Sequence, residues 1–300
     1  MLRKSEWSSG GSTLSRASIV AAMVCAAATA VPGLADTAVA DAAVADAAAA
    51  RHGCSRAIRV AASPFGRLMT ISMDGVVGGW DATLLAEVGR TAGCEIIYRV
   101  VSRARALELF KNGEIDIFPA ATRTESRDTY GTFVQVLSAQ AVLIVVSERW
   151  AKIHSTADMV ASSLRLDVVR GYEYGAAYDA LLLNPTMRPR VFKQVDNATI
   201  ARRLAHGETD AVLMSPAVFS EAALGAGIAD KVRLVHIDDL PMLESGEYVV
   251  DRALSAEDAA LLKQAIAKTV ARHIYDDLIL ADPGPAWMTE ALLPNVAARH

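Results

Sequence analysis

The chain has 300 residues, of which 52% are apolar, enough for one large or two medium-sized domains. Its formal net charge is −4, with no basic run and no patch of interleaved basic and aromatic residues, so no nucleic acid partner is expected. His-Glu-x-x-His, Walker and Gly-x-Ser-x-Gly motifs are absent as well. We therefore expect no catalytic residue, no metal site and no cofactor.

The first 35 residues have the composition of an export signal. Basic residues precede an apolar, alanine-rich stretch, and Gly33 and Ala35 are the small residues that a cleavage site requires. The stretch is short for a membrane span, so we predict a cleaved signal peptide over 1–35, with an uncleaved anchor as the alternative. Residues 36–53 form a low-complexity Ala/Asp tract that we interpret as a linker. The expected location is the periplasm.

Two cysteines lie beyond this segment, Cys54 and Cys94, and each precedes an apolar strand candidate. If those strands are parallel neighbours, their starts lie about 4.8 Å apart, which a disulfide can span. An oxidising compartment favours the bond. We predict a Cys54–Cys94 disulfide, and the alternative is a pair of unpaired buried thiols.

The rest of the chain alternates short apolar strands with helices, the pattern of parallel sheets that helices cover on both faces. In the first half, we predict strands over 58–62, 95–101 and 115–120 and helices over 82–91 and 103–111. After an extended run at 141–149, we predict strands over 165–169, 190–195, 210–215 and 231–236 and helices over 175–183, 198–206 and 217–224. A second extended run, 246–252, precedes a helix capped by Ser255 and Asp258.

Two extended segments, near 138–146 and 240–248, connect these halves. The chain is expected to leave a first lobe, build a second one and return. We predict lobe 1 over 54–139 and 248–300 and lobe 2 over 140–247, with two hinge crossings between them.

One sequence pattern occurs in both halves: a helix, then Gly-Glu-x-Asp, then an apolar run. It is present in "NGEIDIFPAATRTESRD", which contains Asp116, and in "HGETDAVLMSP", which contains Asp210, 94 residues later. Gly113 and Gly207 are predicted to end their helices in the left-handed region. The strands that follow should then end at the edge of the sheet where ligands of open α/β folds bind.

The residues that follow these strands suit a small anion. The planar fork of Arg127 matches a carboxylate or phosphate, and Thr122 and Thr124 add hydroxyl groups beside it. Gly171 follows another strand and is predicted to open a helix whose N–H groups face the same anion from the opposite lobe. Ser215 stands at the corresponding edge of the second half. The alternative is that Arg127 only caps or salt-bridges a surface helix.

At these residues the chain resembles the type II periplasmic solute-binding proteins of ABC importers, family 3, the polar amino acid-binding type. The resemblance extends from Cys54 to Asp282. The motifs that carry it are Gly79-Trp80-Asp81, "LFKNGEIDI", "TRTESR", "VVRGYEYG" and "LAHGETDAV", together with "SRAR" and the two cysteines. It implies a two-lobed α/β fold, each lobe a mainly parallel sheet with helices on both faces.

The resemblance also implies roles for individual residues. Arg127 would clamp a ligand carboxylate, and Thr122 would donate a hydrogen bond beside it. Phe65, found by counting back from Trp80, would pack on the ligand, and Trp80 itself is a ligand-binding candidate. The carboxylate-binding hydroxyl pair of the second lobe falls on Tyr172 and Glu173.

Two departures from the family pattern concern the other end of the ligand. Ser215 stands where the family has an aspartate for the ammonium group, and Pro119 and Ala120 replace two small hydrogen-bonding residues. A serine does not offset a buried ammonium as a carboxylate does. Either Glu173 supplies the negative charge, or the ligand is not an ordinary α-amino acid.

These patterns predict a monomeric binding receptor rather than an enzyme. It would capture a small carboxylate-bearing solute in the cleft, close about its hinges and deliver the solute to an ABC permease. Two alternatives remain open: a dehydratase-like enzyme with Glu173 as proton donor, and a periplasmic sensory domain.

Overall fold

Two β-sheets organise residues 53–294, the part of the chain that the computed structural model describes. The predicted signal peptide and nearly all of the predicted linker lie outside these residues. The first sheet has the strand order β13-β6-β12-β5-β1-β4. Its strands are β1 (Ile58–Ala62), β4 (Ile96–Val100), β5 (Ile117–Thr122), β6 (Thr132–Ala139), β12 (Leu243–Val249) and β13 (Leu292–Pro294). Strands β4, β1 and β5 are parallel to one another. Strands β12, β6 and β13 follow in that order beyond β5, and each is antiparallel to the strand before it.

The second sheet has the order β11-β7-β10-β8-β9. Its strands are β7 (Val142–Val145), β8 (Leu166–Val169), β9 (Val191–Gln194), β10 (Ala211–Met214) and β11 (Arg233–Val235). Strands β9, β8 and β10 are parallel, and β7 and β11 are antiparallel to their neighbours. A short antiparallel pair, β2 (Thr70–Ile71) and β3 (Val77–Gly78), lies outside both sheets.

The helices follow the strands in the alternation that the sequence predicts. They are α1 (Trp80–Ala92), α2 (Arg103–Asn112), α3 (Glu125–Asp128), α4 (Thr156–Ala161), α5 (Gly175–Leu183), α6 (Asn197–Ala205), α7 (Pro216–Gly225), α8 (Ala256–Ala271) and α9 (Ile274–Ala281). Gly113 and Gly207 both have positive φ, as predicted. Within residues 53–294, no helix is long and apolar enough to cross a bilayer. The predicted two-sheet α/β architecture is confirmed.

The chain passes between the sheets twice, at 140–141 and at 236–242. These two crossings contact each other, because the Gln140 side chain donates a hydrogen bond to the Leu240 carbonyl at 2.6 Å. The predicted lobe boundary at 247 falls inside β12, all of which pairs in the first sheet. Strand β12 also starts three residues earlier than the predicted run, since β5 and β6 supply partners on both of its sides. Below, lobe 1 and lobe 2 denote the residues built on the first and second sheet.

The repeated aspartates tie neighbouring strands together. Asp116 is fully buried and accepts hydrogen bonds from the backbone N–H, Nε and Nη2 of Arg59, and also from Nη1 and Nη2 of Arg56. Asp210 accepts the same three bonds from Arg165. Both halves thus use one device, in which an arginine and an aspartate close the amino ends of adjacent parallel strands.

The predicted disulfide between Cys54 and Cys94 is present, with a Cα–Cα distance of 4.9 Å. Strands β1 and β4 are parallel neighbours in which Ile58 pairs with Ile96, so the cysteines that precede them start side by side. This is the geometry on which the sequence prediction rested.

Candidate functional site

The end of β5 is shaped by a one-turn helix. Thr124 caps α3, and its Oγ1 accepts a hydrogen bond from the Arg127 N–H at 3.3 Å. This turn folds Arg127 back over the strand end, where Nη1 donates to the Thr122 carbonyl at 2.7 Å. Arg127 is a buried residue with 2% of its side chain exposed, unlike the surface arginine of the alternative interpretation.

The loop between β8 and α5 faces this arginine from lobe 2. Between the lobes lies a narrow cavity of about 190 Å³, counting its open mouth. Its lining consists of Phe65, Arg103, Ala120, Thr122, Arg127, Gly171, Tyr172, Glu173 and Tyr174. These nine residues come from four separate stretches of sequence, and six of them are among the predicted ligand-binding residues.

An ion pair crosses the cavity. Arg127 Nη2 lies 3.1 Å from Glu173 Oε2, and the Ser126 hydroxyl donates to Glu173 Oε1 at 3.4 Å. Burial lowers the pKa of Arg127, and the Glu173 carboxylate opposes that shift. A guanidinium remains charged in such a site. Arg127 Nε is buried and has no hydrogen-bond partner among residues 53–294, so one donor of the fork is available.

Three residues of the cavity lining were not among the predicted ligand-binding residues: Arg103, Ala120 and Tyr174. Arg103 is the charged one. Its guanidinium is stacked between Phe65 and Phe118, at 4.7 Å and 4.2 Å from the ring centroids. Nη1 and Nη2 donate to the carbonyls of Pro119 and Ala120 at 2.9 Å and 2.8 Å. Burial lowers the pKa of Arg103 to about 10. Its position at the start of a helix after β4, at the carboxyl edge of the sheet, is a signal that could have identified it.

Aromatic rings bring the lobes into contact. Phe65 from lobe 1 and Tyr172 from lobe 2 meet edge to face, with 4.8 Å between ring centroids. The Tyr172 hydroxyl accepts a hydrogen bond from the Asn197 amide at 3.0 Å. A Cβ added at Gly171, whose φ is +86°, would lie 2.9 Å from the backbone of Ala104. The lobes therefore touch through backbone at this point, and a side chain there would hold them apart.

Gly171 does not open a helix, contrary to the sequence prediction. Helix α5 begins at Gly175, and Gly171 lies in a turn in which the Tyr172 N–H donates to the Val169 carbonyl at 3.2 Å. The chain continues to turn beyond Gly171 and takes the direction of the helix only four residues later. The Tyr172 N–H is consequently engaged already and is not free to hold an anion.

Three predicted residues lie outside the cavity lining within residues 53–294: Trp80, Thr124 and Ser215. Trp80 is buried at the start of α1 and donates from Nε1 to Asp282 at 3.0 Å. Thr124 serves as the helix cap described above. Ser215 is buried beside the ring of Tyr174, and its hydroxyl has no partner in the described part of the chain. Their roles in binding stay predictions.

A buried acidic pair lies behind the cavity. Asp81 and Glu247 are both inaccessible to solvent, and the Tyr275 hydroxyl donates to Asp81 at 3.0 Å. Burial raises the pKa of Asp81 to about 7 and that of Glu247 well above its ordinary value. The charge of Asp81 also disfavours the ionised form of Glu247, and Arg103 only partly offsets this, so the pair retains a proton at neutral pH. No cluster of three or more metal-ligating side chains occurs among the described residues.

Comparisons with solved structures identify the architecture. The fold is similar to that of an ancestral arginine-binding protein bound to arginine, with a TM-score of 0.60 and 18% identity over 75% of this chain and 96% of that one. It is also similar to the arginine-, lysine-, histidine-binding protein ArtJ from Geobacillus stearothermophilus (0.63, 16%, 81% and 98%). A histidine kinase sensor domain with similarity to periplasmic binding proteins matches as well (0.62, 14%, 81% and 100%).

Because the sequence identities are only 14–18%, the similarity to these structures shows a shared fold and nothing about the ligand. No curated protein matches the chain significantly. The sequence profile of the bacterial extracellular solute-binding proteins, family 3, matches residues 57–278. That range contains both sheets' parallel cores and every residue of the cavity lining. Because the match covers well over half of the chain, this protein belongs to the bacterial extracellular solute-binding proteins, family 3.

Proposed function

We propose that the protein is a periplasmic receptor that binds a small, amino acid-like carboxylate between its lobes and delivers it to an ABC permease. The observation that carries this proposal is Arg127, a guanidinium buried between the lobes and facing a carboxylate from the opposite side. Similar folds that bind arginine, or arginine, lysine and histidine, support the choice of solute. Export would follow from the predicted signal peptide.

Binding requires the lobes to separate and close again. The ligand carboxylate would take the Nη2 and Nε donors of Arg127, with Thr122 beside it and the ring of Phe65 against the ligand. A guanidinium and a carboxylate form two parallel hydrogen bonds in this geometry. The two adjoining crossings at Gln140 and Leu240 are suited to act as the hinge.

The test is a thermal-shift screen of amino acids, keto acids and small dicarboxylates on the mature protein. A ligand that binds the folded state raises the melting temperature by mass action. Recovery of each ligand unchanged after incubation would support binding without turnover. Raised melting temperature with a converted ligand would instead favour an enzyme.

Arg127→Ala tests the site itself. Removing one partner of a buried charge pair costs about 2–5 kcal/mol of binding free energy, so affinity for the hit should fall by about 30-fold or more. Arg123→Ala is the matched control, because Arg123 lies four residues away, is half exposed and pairs with Asp128 and Glu244 at the surface. Unchanged affinity in Arg127→Ala would refute the assignment.

A further inference from the structure

The carboxylate of Glu173 occupies the place that a ligand carboxylate needs. Its Oε2 lies 3.1 Å from Arg127 Nη2, and its Oε1 accepts from the Ser126 hydroxyl. Both contacts come from lobe 1, whereas Glu173 belongs to the loop after β8 in lobe 2. The protein therefore supplies, from its own chain, an anion to the arginine that the proposed function assigns to the solute.

This contact leaves no room for a second carboxylate. The space in the cavity that a water molecule can enter is about 10 Å³, whereas pockets for small molecules span about 300–1,000 Å³. Phe65 and Tyr172 are in contact across it, and Gly171 abuts the backbone of α2. A solute can reach Arg127 only after Glu173 has moved away, and the same movement separates the two lobes.

Glu173 would be close to the solute once displaced. The position at which the family resemblance places the ammonium-binding aspartate is Ser215, which has no charge. Arg103 donates its hydrogen bonds to backbone carbonyls of lobe 1 and lies near the buried acidic pair. These lobe 1 groups compensate its charge, so it needs no partner from the solute. Arg127 and Glu173 then form one positive and one negative group in the cleft. A zwitterion matches that arrangement, and a dicarboxylate does not.

We propose that Glu173 is an internal counterion that holds the empty cleft closed on Arg127 and is exchanged for the solute's carboxylate. After the exchange, Glu173 pairs with the solute's cationic group, which makes it the residue that selects amino acids over simple carboxylates. This inference rests on the proposed function, since it assigns the same cleft to an amino acid.

The first arm of the test needs no ligand. Small-angle scattering compares the ligand-free wild-type protein with Glu173→Gln, Glu173→Ala and the control Asp179→Asn. Asp179 is an exposed carboxylate whose charge also acts on Arg127, but it makes no contact with it. Both Glu173 variants should have a larger radius of gyration than the wild type, and Asp179→Asn should not. Equal scattering from all four proteins would overturn the counterion role.

The second arm uses L-alanine and propionate, which differ in the ammonium group. A competitor that occupies the site nine-tenths of the time weakens apparent affinity about tenfold, so propionate should bind Glu173→Gln about tenfold more tightly than wild type. L-alanine should gain less or lose affinity, because the carboxylate that pairs with its ammonium group is gone. Equal changes for both probes would overturn the selectivity role. If neither probe bound any of the proteins, the selectivity role would be overturned, scattering would still decide the closure, and the thermal-shift screen would decide the proposed function.

Discussion

Asp116→Asn is the substitution whose effect can be worked out most directly from the structure. Asp116 is fully buried and accepts hydrogen bonds from two arginines, which lower its pKa from 3.8 to about 2. A shift of nearly two units corresponds to roughly 2–3 kcal/mol of folding free energy. Because the side chains of Arg56 and Arg59 are about two-fifths exposed, solvent screens the pair, and we expect a loss of about 2 kcal/mol.

The sign of the pH dependence follows from the lowered pKa. The folded state binds the Asp116 proton more weakly than the unfolded state does. The stabilisation of the folded state by the ionised carboxylate is therefore complete above pH 4 and disappears as the pH falls through about 2. Urea unfolding at pH 7 and near pH 2 should therefore show a destabilised variant at neutral pH and nearly equal proteins in acid.

Asp210→Asn provides the matched comparison in the second lobe. Asp210 makes the same three bonds to Arg165, but no second arginine of residues 53–294 hydrogen-bonds to it, and its pKa is also lowered. Asp210→Asn should therefore lower the free energy of unfolding at pH 7 by less than Asp116→Asn does. Equal stability of Asp116→Asn and wild type at pH 7 would refute the reasoning, as would a difference that persists unchanged near pH 2.

The remaining predictions concern the disulfide and the buried acidic pair. Replacing Cys54 and Cys94 by serine opens a loop closed by residues 40 apart, which should cost about 4 kcal/mol and lower the urea midpoint; two titratable thiols in denatured, unreduced wild type would rule the bond out. Glu247 and Asp81 have raised pKa values, so the stability that their neutral forms allow is present at acidic pH and is lost as the pH rises towards those values, which is about 7 for Asp81. Glu247→Gln should therefore flatten the decline of unfolding free energy between pH 5 and 8, and an unchanged decline would contradict the shared proton.

Local sequence patterns determined the order and type of most elements. Strand β1 and helix α5 have the predicted bounds, because β1 is a short apolar run and α5 is an apolar segment that begins at Gly175 and ends before Asn184-Pro185. The disulfide was equally accessible, since two cysteines that precede adjacent parallel strands must start side by side. Strand β6 was not predicted. Its pattern of polar and apolar residues is mixed, and the strand is held by pairing with β12 along its whole length and with β13 at its end, both of which lie far along the chain.

The residues of the candidate site also fall into two groups, those that the sequence predicted and those that only the tertiary structure revealed. Sequence identified Arg127 and Thr122, because the carboxyl end of a strand in an open sheet is where polar residues meet a ligand. The tertiary structure decided that Arg127 faces Glu173, that Arg103 lies between two rings, and that Trp80 is directed into the core. Contacts between lobes have no local signal, because they depend on how two separately folded sheets close on each other. For that reason the sequence predicted an anion site, and only the packing of the lobes showed that the chain's own carboxylate fills it.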